Sequence, residues 1–159
     1  MACNCNCKNG QDALDFRTLV PGGTAANANY QVGLTHFTCG CRKMLVADAA
    51  HPVTAQLSAT PVGTPLDLGN GTFCQECIIS GTVTYRPCNA CEPRTEYVSY
   101  RDCLPCSSAA VPTITLGNVV ASPKPIMAYQ SYGGCGCCQV TKPCTNQIAL
   151  TMSINVTTA

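Results

Sequence analysis

The sequence predicts an all-β protein, an antiparallel β-sandwich for which jelly-roll connectivity is one arrangement that fits. Three observations carry this. Apolar and polar residues alternate with a period of two at Ile148, Leu150, Met152, Ile154 and Val156, the pattern of a half-buried strand. The chain contains eighteen threonines and many valines, residues whose branched side chains fit a pleated surface. Proline and glycine punctuate it at Pro21-Gly22-Gly23, Gly69-Asn70-Gly71 and Gly133-Gly134, where they close turns.

Taken in order, residues 1–10, with Cys3-Asn4-Cys5-Asn6-Cys7, read as a connector arm, the alternatives being a disordered tail or a folded-back clasp that bonds within its own chain. If extended, the arm sets three thiols along one edge at intervals of about 6.6 Å. From Gln11 to Leu19 a helical face is poorly formed, since Leu14 and Leu19 are badly spaced, so one short helix or none is expected. Thr35 to Leu45 reads as a strand carrying Cys39 and Cys41 on one face. Strand alternation recurs in Gly81–Arg86, in Glu96–Arg101 and around Ile114 and Leu116. Pro112, Pro123 and Pro125 confine any strand between 107 and 128 to an edge, or end it early. About eight strands result, and a two-sheet sandwich lets each bury one face. At 159 residues the chain has room for one such domain. Residues 11–159 are expected to form it, with a cysteine-rich insertion or hairpin block at 74–106.

Composition narrows the function. Charged residues are 11% of the chain where about 25% is usual, and nine basic against eight acidic leave a net charge of +1. Without a basic cluster, nucleic acid is not an expected partner. Weak charge repulsion suits a chain that associates with copies of itself. Met1–Gly10 lacks a basic region leading into an apolar stretch, so synthesis in the cytoplasm without a secretory signal is expected. No apolar run approaches the roughly 20 residues of a spanning helix, and no membrane partner is expected.

Fifteen cysteines in a chain expected to be made in a reducing compartment leave metal ligation, redox chemistry or later oxidation as their use. Cys74, Cys77, Cys88, Cys91, Cys103 and Cys106 form three Cys-x-x-Cys pairs, ten and eleven residues apart. Six thiols pair evenly as intramolecular disulfides, whereas one zinc uses four, with Cys74, Cys77, Cys88 and Cys91 as the alternative zinc set. A redox-enzyme pair needs a strand-to-helix setting that these segments lack. Cysteine blocks and cysteine-free stretches alternate, which suggests that thiols and core are segregated. The surface blocks supply candidates for bonds between subunits: Cys3, Cys5 and Cys7; Cys39 and Cys41; Cys135, Cys137, Cys138 and Cys144. An odd total leaves at least one thiol without an internal mate. His36, three residues before Cys39, completes a His-x-x-Cys-x-Cys cluster, but a histidine near a strand end is the plainer reading, and His51 precedes Pro52 in a turn.

Catalysis has no support in the sequence. The acids are scattered, Asp12/Asp15 and Glu92/Glu96 being the near pairs, with Arg94 as a surface charge. Neither a phosphate-binding glycine loop nor a nucleophile elbow occurs. Asn70-Gly-Thr and Asn155-Val-Thr match the glycosylation pattern but read as turn and strand residues.

A low-charge, threonine-rich β-chain with cysteine blocks and the Cys3, Cys5, Cys7 arm resembles the cysteine-rich self-assembling proteins of bacterial endospore surfaces. These comprise exosporium and coat-crust proteins and appendage-fibre subunits. The resemblance implies a structural subunit whose arm bonds to a neighbouring copy, made reduced and oxidised once the mother cell lyses. It also implies a final location at a spore or other extracellular surface, with no cofactor. The three Cys-x-x-Cys pairs depart from that pattern. They keep open a zinc-binding structural module as the alternative, and a virion structural protein, which would share the same composition, is the other.

Overall fold

A computed structural model of the chain describes residues 12–20, 27–38, 45–46, 52–87, 92–124, 128–133, 139–145 and 147–158, with backbone alone at 12–14, 46, 128–133 and 139–144. It contains twelve strands: β1 (Asp12–Leu19), β2 (Asn27–Phe37), β3 (Leu45–Val46), β4 (Thr54–Pro61), β5 (Leu66–Gly69), β6 (Thr72–Tyr85), β7 (Arg94–Cys106), β8 (Thr113–Leu116), β9 (Val120–Pro123), β10 (Ala128–Gly133), β11 (Gln139–Thr145) and β12 (Gln147–Thr157). Two antiparallel sheets pack face to face. The first runs β1-β2-β12, with β8 and β9 sharing the far edge of β12; the second has β6 at its centre, β7 on one side and β4 and β5 on the other. A small third sheet, β10-β11-β3, continues from β12.

The alternation that predicts β12 sets its faces. Ile148, Leu150, Met152, Ile154 and Val156 are all 2% exposed or less and stand opposite His36, Leu34, Val32, Tyr30 and Ala28 of β2 in turn. From the other sheet, Cys77, Ile79, Val83 and Tyr85 of β6 and Val98, Leu104 and Cys106 of β7 complete the same core. β6 and β7 therefore pair as two long antiparallel strands whose inner face lines one side of the common core.

Contacts between β1 and β7 on one side, and between β4 and β8/β9 on the other, fix how the sheets overlie. The Tyr30 hydroxyl donates to the Pro105 carbonyl at 3.4 Å, and His36 meets Glu96 at 3.1 Å. The sandwich accordingly has a Tyr30/Pro105 end and a His36/Glu96 end. β1 begins with Asp12 opposite His36, so the chain enters the domain at the His36 end.

Three expectations change, and where one short helix or none is expected, residues 12–19 are a strand, because the free edge of β2 offers unpaired backbone groups for β1 to satisfy. Twelve strands among the described residues replace about eight, since short edge strands such as β8 and β9 carry too few residues to show a period. The expected strand at 35–45 ends at Phe37, and Cys39 and Cys41 lie outside the described residues. Thiols and core are not segregated, for Cys77 and Cys106 lie within the core. Pro112 and Pro123 act as expected: β8 and β9 each end within four residues and sit at an edge; Pro125 lies outside the described residues.

Candidate functional site

The described thiol chemistry sits on the β6–β7 hairpin. Residues three apart on a strand point to opposite faces, so each Cys-x-x-Cys pair here is split by the sheet. Cys77 and Cys106 face the core, while Cys74 and Cys103 face outward. Cys74 stands opposite Pro105 and Cys103 opposite Glu76, which makes the two outer cysteines diagonal neighbours. Their Cα atoms are 5.6 Å apart and they form a disulfide. The inner pair lies four rungs apart, Cys77 opposite Asp102 and Cys106 opposite Phe73. That is on the order of 13 Å along the strand, and both thiols are free and buried. Even pairing of all six thiols therefore does not hold for Cys77 and Cys106, and the reason is the strand's own geometry.

Around the bridge the surface is organised by charge. Arg17 of β1 pairs with Asp102 and donates to the Cys103 carbonyl at 2.9 Å, tying the edge strand of one sheet to that of the other. Asp102 also accepts from the Cys103 amide at 2.8 Å. Arg101 pairs with Glu76 at 2.5 Å. Leu66, Glu76, Arg101, Asp102 and Cys103 line an open groove of about 470 Å³ beside the disulfide. At the tip of the neighbouring hairpin, Leu66 and Leu68 remain 63% and 62% exposed. That hairpin closes through Asn70 and Gly71, both with positive φ, 54° and 73°. These are the values a tight type I′ turn requires, and asparagine and glycine tolerate them best.

The inner thiols are shielded. Burial pushes the Cys77 thiol up to about 11, with a smaller contribution from Asp102, so it stays protonated at neutral pH. Cys106 points its Sγ to the Ser108 carbonyl at 3.7 Å.

At the opposite end, His36 is 2% exposed and bonded to Glu96, whose other oxygen meets Arg94 at 3.3 Å. His36 is thus a buried histidine near the end of β2, held by its contact with the Glu96 carboxylate; Cys39 and Cys41 of the alternative cluster lie outside the described residues. Arg94, read from sequence as a surface charge, helps to balance the Glu96 carboxylate. Burial and the adjacent Glu96 carboxylate both raise the Tyr85 phenol.

For the zinc set, Cys74 is engaged with Cys103 and Cys77 faces the core, while Cys88 and Cys91 lie outside the described residues. Among the described residues no group of three or more His, Cys, Asp or Glu side chains could hold a metal ion. Of the candidates for bonds between subunits, Cys3, Cys5, Cys7, Cys39, Cys41, Cys135, Cys137 and Cys138 lie outside the described residues. Cys144 has its backbone in β11, opposite Ala128 and Val46. His51 also lies outside them; Asn70 is in the hairpin turn, and Asn155 on β12 donates to the side-chain oxygens of Asn27 and Asn29 at 2.6 Å. No family model, curated protein or solved structure matches the chain.

Proposed function

We propose that this chain is a structural subunit that assembles with copies of itself into a fibre or lattice and is locked by disulfides between subunits, at a spore surface. The observation that carries the reading is the Cys74–Cys103 disulfide on the outer sheet face. It joins two strands that the core already holds, so covalent bonding here reinforces a finished surface rather than replacing a missing core. Setting aside that pair and the two buried thiols leaves eleven of the fifteen cysteines, again an odd number. At least one of them has no cysteine mate within the chain.

Placement favours a head-to-tail arrangement. The chain enters β1 at the His36 end, and the disulfide lies towards the Tyr30/Pro105 end. An arm leaving one copy therefore faces the far end of the next, where Leu66 and Leu68 are exposed. Each bond between copies forms as two thiols lose two protons and two electrons to an oxidant such as molecular oxygen, outside the reducing cytoplasm.

The test is electrophoresis after boiling in detergent, with and without reductant. The parent should stay at high mass until reduced, and deletion of residues 2–8 should leave a folded β-domain that migrates as monomer without reductant. A parent that runs as monomer without reductant refutes the reading. Undiminished covalent assembly after the deletion refutes the arm as connector. About one zinc per chain, lost on chelation together with the fold, would promote the metal-binding module instead.

A further inference from the structure

The outer face of the second sheet carries a regular array that neither the core nor the disulfide explains. Side chains of directly paired residues share a face, and three successive rungs across β4, β6 and β7 read Thr54–Thr84–Thr95, Gln56–Thr82–Tyr97 and Ser58–Ser80–Ser99. No Asp, Glu, Lys, Arg or His stands among the nine. One rung further on, Arg101 is paired with Glu76, and at the other end Arg86 follows Thr84 by two residues. Thr84 and Thr95 bond hydroxyl to hydroxyl at 2.9 Å. Thr54, Ala55, Gln56, Thr82, Thr84 and Thr95 line a groove of about 350 Å³. Beside it stands Tyr97, 65% exposed on a face with little other apolar surface.

We propose that this face, with Tyr97 on its middle rung at the β7 edge, binds the flat side of a neutral polysaccharide. The chemistry is complementary in three respects. A face without charge selects a ligand without charge, because an ion gains nothing there and loses hydration. Hydroxyl and amide groups repeat at about 4.8 Å across the strands and about 6.7 Å along them, a two-dimensional grid of donors and acceptors for a ligand that is itself a row of hydroxyls. An exposed tyrosine ring offers a flat apolar platform with a polar tip, on which the C–H face of a pyranose ring can stack. A second copy of this chain fits less well. Stacking the face on itself would strip water from nine polar groups and bury little apolar area in return.

The inference is independent of covalent assembly, and the test keeps the two apart. Parent protein is mixed with microcrystalline cellulose, with chitin and with no glycan, and the protein left in the supernatant is measured. The parent should be depleted by at least one glycan beyond the no-glycan control, and depletion should persist in 0.5–1 M salt, where ionic contacts are screened to about 3 Å at the upper end. Tyr97→Ala should weaken binding by about tenfold, while Tyr97→Phe, which keeps the ring, should retain most of it. Circular dichroism of both variants should match the parent, since Tyr97 is outside the core. Depletion by neither glycan, salt-sensitive binding, or Tyr97→Ala binding as well as the parent overturns the proposal. Assemblies that dissociate in Tyr97→Ala would make the face a contact between copies and overturn it equally.

Discussion

Replacing both outer cysteines, Cys74→Ala with Cys103→Ala, tests whether the bridge pins the open end of the β6–β7 hairpin. The bond spans 29 residues of sequence. Loop-closure entropy for that length predicts about 3.6 kcal/mol of stabilisation, with about 2–4 typical of measured bridges. The upper figure assumes an unstructured denatured chain; residual pairing in the hairpin brings it down. At this chain size each kcal/mol moves the melting midpoint by about 2–4 °C, so the oxidised parent should melt roughly 4–14 °C above the double variant. The assay is urea unfolding of both proteins, each with and without reductant. Reductant opens every disulfide in both chains, so the informative quantity is the gap between parent and variant under the two conditions. That gap should be about 2–4 kcal/mol when oxidised and close to zero when reduced. An undiminished gap under reductant would show that Cys74, 8% exposed, stabilises by packing alone. No gap under oxidising conditions would refute the reasoning, because the strands would then be held without the bond.

Four single sites give further expected outcomes. At Gly81 a Cβ would fall inside the Gln56 carbonyl and 2.9 Å from the Leu57 Cα, both backbone of β4, so Gly81→Ala should cost about 2–3 kcal/mol in urea unfolding and loosen β4. Gly33→Ala meets only the Phe16 ring, which is 45% exposed and can swing away, so it should cost about 1 kcal/mol. The free Cys77 thiol, pushed to about 11 from 9.0, should resist iodoacetamide at pH 8 in the folded protein and react once it unfolds. Its raised folded pKa contributes stability that is full below the ordinary thiol value and lost as pH rises towards 11, a slope that Cys77→Ala should remove. Asp15 is raised by burial but lowered further by the Thr35 hydroxyl and the Lys124 ammonium, so its net direction is downward. Its contribution is present above the unfolded value of about 3.9 and lost as pH falls through the folded one. Asp15→Asn should therefore be less stable than the parent at pH 6, and the two should converge in strong acid; because Asp15 is a third exposed, the difference should be small.

The sequence by itself determined the fold class, the position of β12 and the strands at 81–86, 96–101 and 114–116, because a period of two is a local property written residue by residue. Proline likewise marked β8 and β9 as edge strands, since a missing amide donor acts wherever the chain goes. The tertiary structure alone decided that residues 12–19 pair with β2, as nothing in Leu14 and Leu19 signals the free edge waiting for them. It decided the fate of the thiols too. Spacing shows that Cys74 and Cys77 stand three apart, but only a regular strand through both sends them to opposite faces, and only register brings Cys103 within reach of Cys74. The His36–Glu96 pair joins residues sixty apart. The threonine and serine rungs join β4 to β7 through β6, and their signal in the sequence is diluted to scattered polar positions in three separate strands. Alternation is set by the backbone of one strand; which side chains share a rung is set by pairing between strands, and pairing is fixed only when the two sheets close on a common core.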